Sequence, residues 1–294
     1  MSQKKWTIKE LLEVTAGYLK SKEIDNPRLC AEILLAYQLD TSRIKIYLTL
    51  DQPLHQKDID SYRSLIKRRL NREPPQYITG IQEFWSMEFI VDRKVLIPRP
   101  ESELLVEQVV LISRNEKSVG NLSPAILDLG TGSGAIAVSL ARELQGAAIW
   151  ASDISDEALD TARLNARKHG MDSRIQFIQG DLFQPFRYHS IRFDFIVSNP
   201  PYIASEDYNL LPPEVRDYEP RLALDGHEGG LFFIDKIIME GASYLKPGGW
   251  LLIEMDPRQT STAINMLEQS GYYEKGRCVR DYSQKDRVVM ARKK

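Results

Sequence analysis

The sequence predicts an α/β fold, in which an open, mainly parallel sheet with helices on both faces follows a small all-α bundle and a β-hairpin. Three observations predict it. Apolar residues recur at helical spacing from Thr7 to about Leu70, the period then changes, and short apolar runs alternate with helical sequence to about residue 257. The 294 residues, 43% of them hydrophobic, are enough for two domains with buried cores.

The first element is the helical bundle. Pro27 and Pro53 each separate two successive helices, and Pro27 suits the first turn of the helix that it starts. At Glu73-Pro-Pro-Gln76, consecutive prolines remove backbone donors and force the preceding residue to be extended, so the helical pattern is predicted to stop there. We therefore expect a helical domain over residues 1–75.

The second element is a linker over residues 76–100. The segments Phe84–Val91 and Val95–Ile97 have strand-like composition and flank Asp92-Arg93-Lys94, a spacing that predicts a β-hairpin. A helix is expected to begin at Glu101, after a proline-rich stretch.

The third element is the α/β domain over residues 101–294. Its short apolar runs are predicted to be parallel strands with helices between them. These runs are Ala125–Leu129, Ala148–Ser152, Ile175–Ile178, Phe193–Val197 and Trp250–Glu254.

Composition excludes several classes of protein. The net charge of -2 argues against binding nucleic acid mainly by neutralising phosphates, and the basic run Arg63–Arg72 is interpreted as a solvated helix face. Apolar runs fall short of the ~20 residues that span a bilayer, and the charged start at Met1 does not resemble a signal core. We expect a cytoplasmic protein without membrane contact or direct nucleic acid binding.

Cysteine and histidine spacing gives no indication of a metal site. Cys30 and Cys278 lie far apart in the sequence, so neither a disulfide framework nor a zinc site is expected. The four histidines have no spacing typical of metal ligands or of a base paired with a nucleophile. They are His55, His169, His189 and His227.

A glycine-rich turn after the first strand predicts a ligand site. Gly130, Gly132 and Gly134 let the backbone turn sharply and approach a ligand, with Thr131 and Ser133 between them. A nicotinamide dinucleotide is one candidate, but the glycines lack G-x-G-x-x-G spacing. Asp128, just before the turn, would repel a pyrophosphate and suits a cationic ligand. S-adenosylmethionine, which carries an ammonium and a sulfonium, fits better.

Acidic residues also follow the second and third strands. Asp153 is placed to accept hydrogen bonds from ribose hydroxyls, which either cofactor would offer. Asp181 offers an acceptor to the adenine amino group, and Leu182 or Phe183 an apolar surface to its ring. Each aspartate alone could simply cap a helix. The presence of three aspartates at successive strand ends favours a cofactor site over simple helix capping.

The fourth strand leads into Asn199-Pro200-Pro201-Tyr202, the most specific motif in the chain. Two prolines make this loop rigid. Asn199 Oδ1 and the Pro200 carbonyl could together accept both N–H bonds of a planar amide or amino group and aim its nitrogen at a sulfonium methyl. Tyr202 could form a wall of the site. A simple tight turn is the alternative interpretation.

At these motifs the chain resembles the bacterial HemK/PrmC-type release factor glutamine methyltransferases. The resemblance covers nearly the whole chain, including the helical amino-terminal domain. It is carried by Pro75–Gly80, Phe84–Ser86, Leu96–Glu101, Leu127–Gly134, Asn199–Tyr202 and Glu219–Leu224.

The resemblance implies a Rossmann-like class I methyltransferase domain over residues 101–294 that uses S-adenosylmethionine. It implies methylation of N5 of the glutamine in a Gly-Gly-Gln tripeptide of class I release factors, which the amino-terminal helices would bind. Cofactor contacts are implied at Gly130 to Gly134, Asp153, Leu182 and Asn199, and substrate contacts at Asn199, Pro200, Pro201 and Tyr202.

The sequence departs from the family at two places. Leu182 stands where some members have an aromatic residue, so that Leu182 and Phe183 both remain candidates to cover the adenine. The segment Ile253–Gln259 lacks an expected glycine and is assigned no role. A glutamine of a ribosomal protein, or an exocyclic base amine of the adenine N6 type, is the alternative acceptor.

Overall fold

A computed structural model describes residues 5–115 and 123–294. The chain divides into two compact units. The first comprises the residues up to Ile81 together with Pro212–Tyr218, and the second comprises Gln82–Leu211 and Glu219–Lys294. Residues 1–4, on which part of the expectation about the start of the chain rests, lie outside the described residues. Within the described ranges, no helix is long and apolar enough to cross a membrane.

The first unit is helical, and its helices pack around a core that includes Leu12, Leu34 and Tyr62. Thr7 and Glu10 form a reciprocal capping box at the start of α1, with the Glu10 amide donating to Thr7 Oγ1 at 3.3 Å. Pro27 occupies the first turn of α2, as predicted. The helices are α1 Ile8–Ser21, α2 Pro27–Gln38, α3 Arg43–Leu48, α4 Gln56–Leu70, α5 Pro75–Thr79 and α9 Pro213–Arg216.

The long helical pattern ends at Leu70, just before Glu73–Gln76, but one further short helix follows that was not predicted. Pro75 begins α5, whose first turn has no need of the backbone donor that proline lacks. The helix ends at Gly80, which has the left-handed φ of 76° that glycine adopts without a steric penalty.

A second part of the chain, Pro212–Tyr218, folds with this helical unit. Arg69 is buried and donates to Glu214 Oε1 at 2.8 Å, while Arg72 lies 3.4 Å from the same oxygen. The Tyr218 hydroxyl donates to the Asn71 carbonyl at 2.5 Å. A buried guanidinium requires such a partner, so these bonds hold the segment in place.

A β-hairpin follows α5, but its strands are not the predicted ones. They are β1 Ile81–Phe84 and β2 Met87–Ile90, joined by Trp85 and Ser86. Both turn residues have positive φ, 52° and 54°, as a two-residue hairpin turn requires. The prediction placed the turn at Asp92–Lys94 because it treated Trp85 as a strand residue, and the segment Val95–Ile97 is not a strand.

The second unit contains a seven-stranded sheet in the order β5-β4-β3-β6-β7-β9-β8. The five predicted strands are present and parallel to one another, and β9 is antiparallel to both of its neighbours. The strands are β3 Ala125–Leu129, β4 Ala148–Asp153, β5 Ile175–Gln179, β6 Phe193–Ser198, β7 Leu245–Glu254, β8 Arg277–Arg280 and β9 Asp286–Arg292. The two last strands lie beyond the residues for which a strand was predicted.

Helices cover both faces of this sheet, which confirms the predicted fold class. One apolar core packs Ile126 and its face of the sheet against α6, α7 and α8, and the other packs Leu127 and the opposite face against α10 and α11. The helices are α6 Glu103–Asn115, α7 Ala135–Glu143, α8 Asp156–Lys168, α10 Phe232–Gly241 and α11 Thr260–Ser270. A short 3₁₀ helix, Pro100–Ser102, precedes α6 at the predicted helix start.

Further single-turn 3₁₀ helices lie in the connections. They are Asp172–Arg174, Gln184–Phe186, Tyr208–Leu210, Arg221–Ala223, Glu228–Gly230 and Pro257–Gln259. The strand order places β3 between β4 and β6, so their carboxyl ends are adjacent. Ligands of such sheets bind at this edge.

Candidate active site

A cavity of about 370 Å³ opens at the carboxyl edge of the sheet. This volume is within the range of small-molecule sites. The cavity brings together ten of the residues predicted from the sequence, which come from four strand ends. They are Gly130, Thr131, Gly132, Ser133, Asp153, Asp181, Leu182, Asn199, Pro200 and Pro201.

The glycine-rich turn forms one wall of the cavity. Gly130, Gly132 and Gly134 have φ of 70°, 55° and 79°, which explains why glycine occupies all three positions. The Gly130 and Thr131 amides both donate to the Ser152 carbonyl at 2.9 Å, which fixes the turn against β4. Gly134 does not line the cavity, and a Cβ there would meet Ala162 of α8 at 3.0 Å. Its role is close packing of two helices.

Asp128 lies beneath this turn and does not line the cavity. Its Oδ2 accepts from Thr131 Oγ1 at 2.7 Å and from the Ala137 amide at 3.2 Å. Complete burial raises the pKa of the carboxyl group to about 7. The structure thus corrects the expectation of a direct contact with a cationic ligand, because the side chain is shielded by the turn that it supports.

Asp153 faces the cavity and also supports the turn. Its Oδ2 accepts from the Gly132 amide at 2.9 Å, and its Oδ1 accepts from the Ser155 amide at 3.0 Å. Burial raises the pKa of this carboxyl group. Each oxygen can accept a second hydrogen bond, so the carboxylate can hold the turn and a ligand hydroxyl together.

Leu182, and not Phe183, lines the cavity next to Asp181. Phe183 has 0% exposure, and its ring stacks on Tyr244 with a centroid separation of 4.7 Å. Leu182 has a positive φ of 45°. Its side chain lies at the cavity, whereas the side chain of Phe183 lies in the core. The geometry therefore leaves Leu182 as the candidate for the face of an adenine ring and corrects the expectation for Phe183.

Asn199, Pro200 and Pro201 line the cavity after β6. Asn199 Nδ2 donates to Ser102 Oγ at 3.0 Å. This bond occupies the amino end of the side-chain amide and leaves Oδ1 as the acceptor available to a bound group. The orientation is the one that the proposed grip on a planar NH2 group requires.

Tyr202 does not line the cavity. Its side chain packs against the core that contains α10 and α11. Burial, followed by the nearby Glu254 carboxylate, raises the pKa of the phenol further above its ordinary value. The expected wall over the reacting group is thus not formed by Tyr202 in this structure.

Three further residues next to the site were missed by sequence reasoning: Ser102, Glu254 and Gln259. Ser102 ends the 3₁₀ helix before α6 and accepts from Asn199 Nδ2 at 3.0 Å. Glu254 and Gln259 belong to the segment that had been assigned no role. The sequence did offer one signal for Glu254, which stands at the end of a predicted strand. That strand lies beside β6, and Ser198 pairs with Ile253, so Glu254 is close to Asn199 in the sheet.

The site and the fold define a methyltransferase. The family model described as "Methyltransferase small domain" matches residues 102–213, and that described as "PrmC N-terminal domain" matches residues 10–80. The chain belongs to the release factor glutamine methyltransferase family. A relative of that name from Geobacter sulfurreducens is 42% identical over 91% of this chain and 90% of its own length.

Further comparisons agree with this assignment. The release factor glutamine methyltransferase of Chlorobaculum tepidum is 40% identical over 97% of both chains. A solved structure titled "Human methyltransferase 10 domain containing protein" shares the fold, with a TM-score of 0.53 and 16% identity over 70% of this chain and 88% of its own. The family resemblance noted from the motifs is therefore confirmed, and the chain is an enzyme of the methyltransferase class.

Proposed function

We propose that the enzyme transfers a methyl group from S-adenosylmethionine to N5 of the glutamine in the Gly-Gly-Gln tripeptide of class I release factors. The observation that carries the proposal is the orientation of Asn199, whose Nδ2 is held by Ser102 so that Oδ1 remains for the substrate. The names of the relatives, which cover nearly the full length of this chain, support the acceptor.

The cavity residues fit S-adenosylmethionine. Asp153 would accept from the ribose hydroxyls, Asp181 from the adenine amino group, and Leu182 would cover the ring. Gly130 to Ser133 would lie along the methionine portion, where the absence of side chains at Gly130 and Gly132 permits close approach. The bound cofactor supplies an electrophilic methyl group on sulfur.

The chemistry assigned to the protein is positioning of a weak nucleophile. An amide nitrogen is a poor nucleophile because its lone pair is delocalised into the carbonyl group. Asn199 Oδ1 and the Pro200 carbonyl would each accept one hydrogen of the glutamine NH2 group and so fix the direction of its nitrogen. The same oxygens stabilise positive charge that develops on the nitrogen during transfer. A rigid loop performs this task without reorganisation.

Three segments have separate roles in this proposal. Residues 1–75 would bind the release factor, residues 76–100 would link the domains, and residues 101–294 would carry out methyl transfer. Exposed apolar side chains on α3, Ile44 at 77% and Leu48 at 78%, give the helical unit a surface suited to a protein partner. With a translation factor as its substrate, the enzyme would act in the cytoplasm, and the proposal requires no membrane or direct nucleic acid partner.

The test is incubation of the enzyme with labelled S-adenosylmethionine and, separately, purified class I release factors, ribosomal proteins, DNA and RNA. We expect label on N5 of the tripeptide glutamine, mapped by mass spectrometry. A release factor with alanine in place of that glutamine is the matched control and should remain unlabelled. Label on a ribosomal protein glutamine or on a base amine, with none on release factors, would overturn the proposed acceptor.

A further inference from the structure

Two sequence motifs that carry the family resemblance, Leu96–Glu101 and Glu219–Leu224, are held together by one buried side chain. Glu219 is 5% exposed. Its Oε1 accepts from Arg99 Nη2 at 2.6 Å, and its Oε2 accepts from the Ile97 amide at 3.3 Å. Removal of one partner of a buried ion pair is costly, so this contact fixes the first motif against the second. The two motifs, about 120 residues apart in the sequence, are thus one unit in the structure.

The segment that contains each motif is also bonded to the loop that contains Asn199. Ser102 directly follows the first motif, and its Oγ accepts from Asn199 Nδ2 at 3.0 Å. At the second motif, the Ile203 amide donates to the Leu224 carbonyl at 3.0 Å, and the Gly226 amide donates to the Ile203 carbonyl at 2.7 Å. The asparagine-proline loop is therefore attached to one motif at its start and to the other at its end.

These bonds join three chain segments, 96–102, 199–203 and 219–226, into a closed ring, the acceptor ring. Each segment contributes one proline to the lining of the cavity, namely Pro98, Pro201 and Pro220. Proline has a fixed φ and no backbone donor. At these positions the ring is therefore stiff and offers no N–H group that would compete for an oxygen acceptor.

We propose that Glu219 is a positioning residue for methyl transfer, because it closes the acceptor ring and so holds the walls beside Asn199 at a fixed separation. Glu219 itself does not line the cavity. It acts through Ile97 and Arg99, which it holds in place. The inference rests on the proposed function, since the ring positions the NH2 group that this function assigns to the loop.

The loss of Glu219 would open the ring. The segments 96–102 and 219–226 would lose the two bonds that join them, and Asn199 would be free to shift together with Ser102. A displacement of about 1 Å at a reacting group can lower the rate about 10²-fold. Gly130 to Ser133 and Asp153 lie outside the ring and would hold the cofactor as before. The loss is therefore expected in the use of the methyl acceptor and not in cofactor binding.

The first test measures kcat and KM for a release factor in two variants. We expect Glu219→Ala to lower kcat/KM roughly 10–100-fold, while the calorimetric affinity for S-adenosylmethionine stays within a few fold. Glu219→Gln keeps one oxygen acceptor and should lose less, so that kcat/KM is partly rescued. This conservative variant also provides the comparison if Glu219→Ala does not fold.

Asp194→Ala is the matched control. Asp194 Oδ2 accepts from the Ala125 amide and from Lys246 Nζ, both at 2.7 Å, so this carboxylate also holds a backbone amide and a cation. It lies at the amino end of β6, whereas the cavity opens at the carboxyl edge of the sheet. We expect this variant to be less stable but to keep kcat/KM. A folded Glu219 variant with the kcat/KM of the unaltered enzyme would overturn the inference.

Hydrogen exchange of single amides, followed by NMR, tests the ring without a substrate. In Glu219→Ala the Ile97 amide loses its acceptor, and its exchange should become about tenfold faster for one lost hydrogen bond. If the ring is one unit, exchange of the Ile203 amide should also become faster, although its own partner, the Leu224 carbonyl, is unaltered. Asp194→Ala should leave both amides unchanged.

The exchange measurement separates the ring from the identity of the acceptor. Faster exchange at Ile97 alone would contradict the ring even if release factors are methylated. Faster exchange at both Ile97 and Ile203, without methylation of release factors, supports the ring and counts against the proposed acceptor alone. The kinetic comparison is then made with the acceptor that the labelling experiment identifies.

Discussion

Gln259 Nε2 donates to the Tyr202 carbonyl at 2.9 Å and thereby fixes the end of the asparagine-proline loop. The same nitrogen lies 3.2 Å from the Gly229 carbonyl and 3.1 Å from the Gly230 carbonyl. Position 230 requires glycine, because a Cβ there would lie 2.2 Å from the Tyr202 carbonyl oxygen. The reactive loop is thus supported from behind by residues that do not touch the cavity.

Replacement of Gln259 with alanine tests this support. The buried Gly230 carbonyl would lose its side-chain partner, which we expect to lower the free energy of unfolding by ~1–3 kcal/mol. Turnover should fall while the affinity for S-adenosylmethionine changes little. Urea unfolding and single-turnover methylation measure the two effects, and Gln176→Ala, on the exposed part of β5, is the control. Unchanged turnover in a destabilised Gln259→Ala enzyme would limit Gln259 to a structural role.

Replacement of Asn199 with alanine tests the acceptor itself. Loss of one fixed acceptor at the reacting nitrogen should reduce kcat by roughly 10²–10³-fold. Calorimetric affinity for S-adenosylmethionine should stay within a few fold, since the cofactor keeps its contacts with the turn and Asp153. Asn209→Ala, at an exposed position, should behave as the unaltered enzyme. Near-normal turnover of Asn199→Ala would contradict the assigned role.

Replacement of Asp153 with alanine should weaken cofactor binding. We expect a loss of roughly 1–3 kcal/mol, because charged hydrogen bonds to the ribose disappear. Part of the loss would come through Gly132, whose amide now donates to Asp153 Oδ2. Calorimetry measures the affinity, and Asp156→Ala, with a largely exposed carboxylate on α8, is the control. An affinity equal to that of the control would exclude the ribose contact.

Asp128→Asn tests the pH dependence of stability. The folded-state pKa of Asp128, about 7, lies above the ordinary value of an unfolded chain, so the folded state binds more protons between about pH 4 and 7. The contribution of Asp128 to stability is therefore complete below pH 4 and lost as pH rises to 7. The slope for one such group is at most ~1.4 kcal/mol per pH unit.

The variant should show a shallower decline in the free energy of unfolding between pH 5 and 7, measured by urea denaturation. Glu254 contributes a slope of the same sign, since burial raises its pKa as well, so part of the decline should remain. Identical slopes in both proteins would show that Asp128 is not protonated in the folded state.

Local sequence patterns predicted the five parallel strands of the sheet. The apolar runs of β3 to β7 stand out because both faces of a parallel sheet are buried. The strand β8 was missed because it has only four residues, is charged at both ends and has no buried residue. The hairpin turn was misplaced because positive φ at Trp85 leaves no signature in a bulky aromatic residue.

Within the candidate site, sequence patterns predicted only the residues that stand at the carboxyl end of a strand. Gly130 to Ser133 and Asn199 directly follow a strand and Asp153 is the last residue of one, so the parallel order of strands brought them together. Ser102 and Gln259 reach the site through tertiary packing, from positions 97 residues before Asn199 and 57 residues after Tyr202. The burial of Phe183 depends on its stacking with Tyr244, a tertiary contact that local sequence does not show.

The return of Pro212–Tyr218 to the helical unit affects how the enzyme can be dissected. A fragment that starts at Gln82 would retain Glu214 and Tyr218 but remove Arg69 and Asn71, to which they bond. Deletion of the amino-terminal helices would therefore also leave a stretch of the catalytic half without its supporting structure. A clean separation has two cuts, one before Gln82 and one that replaces residues 212–218 with a short flexible bridge.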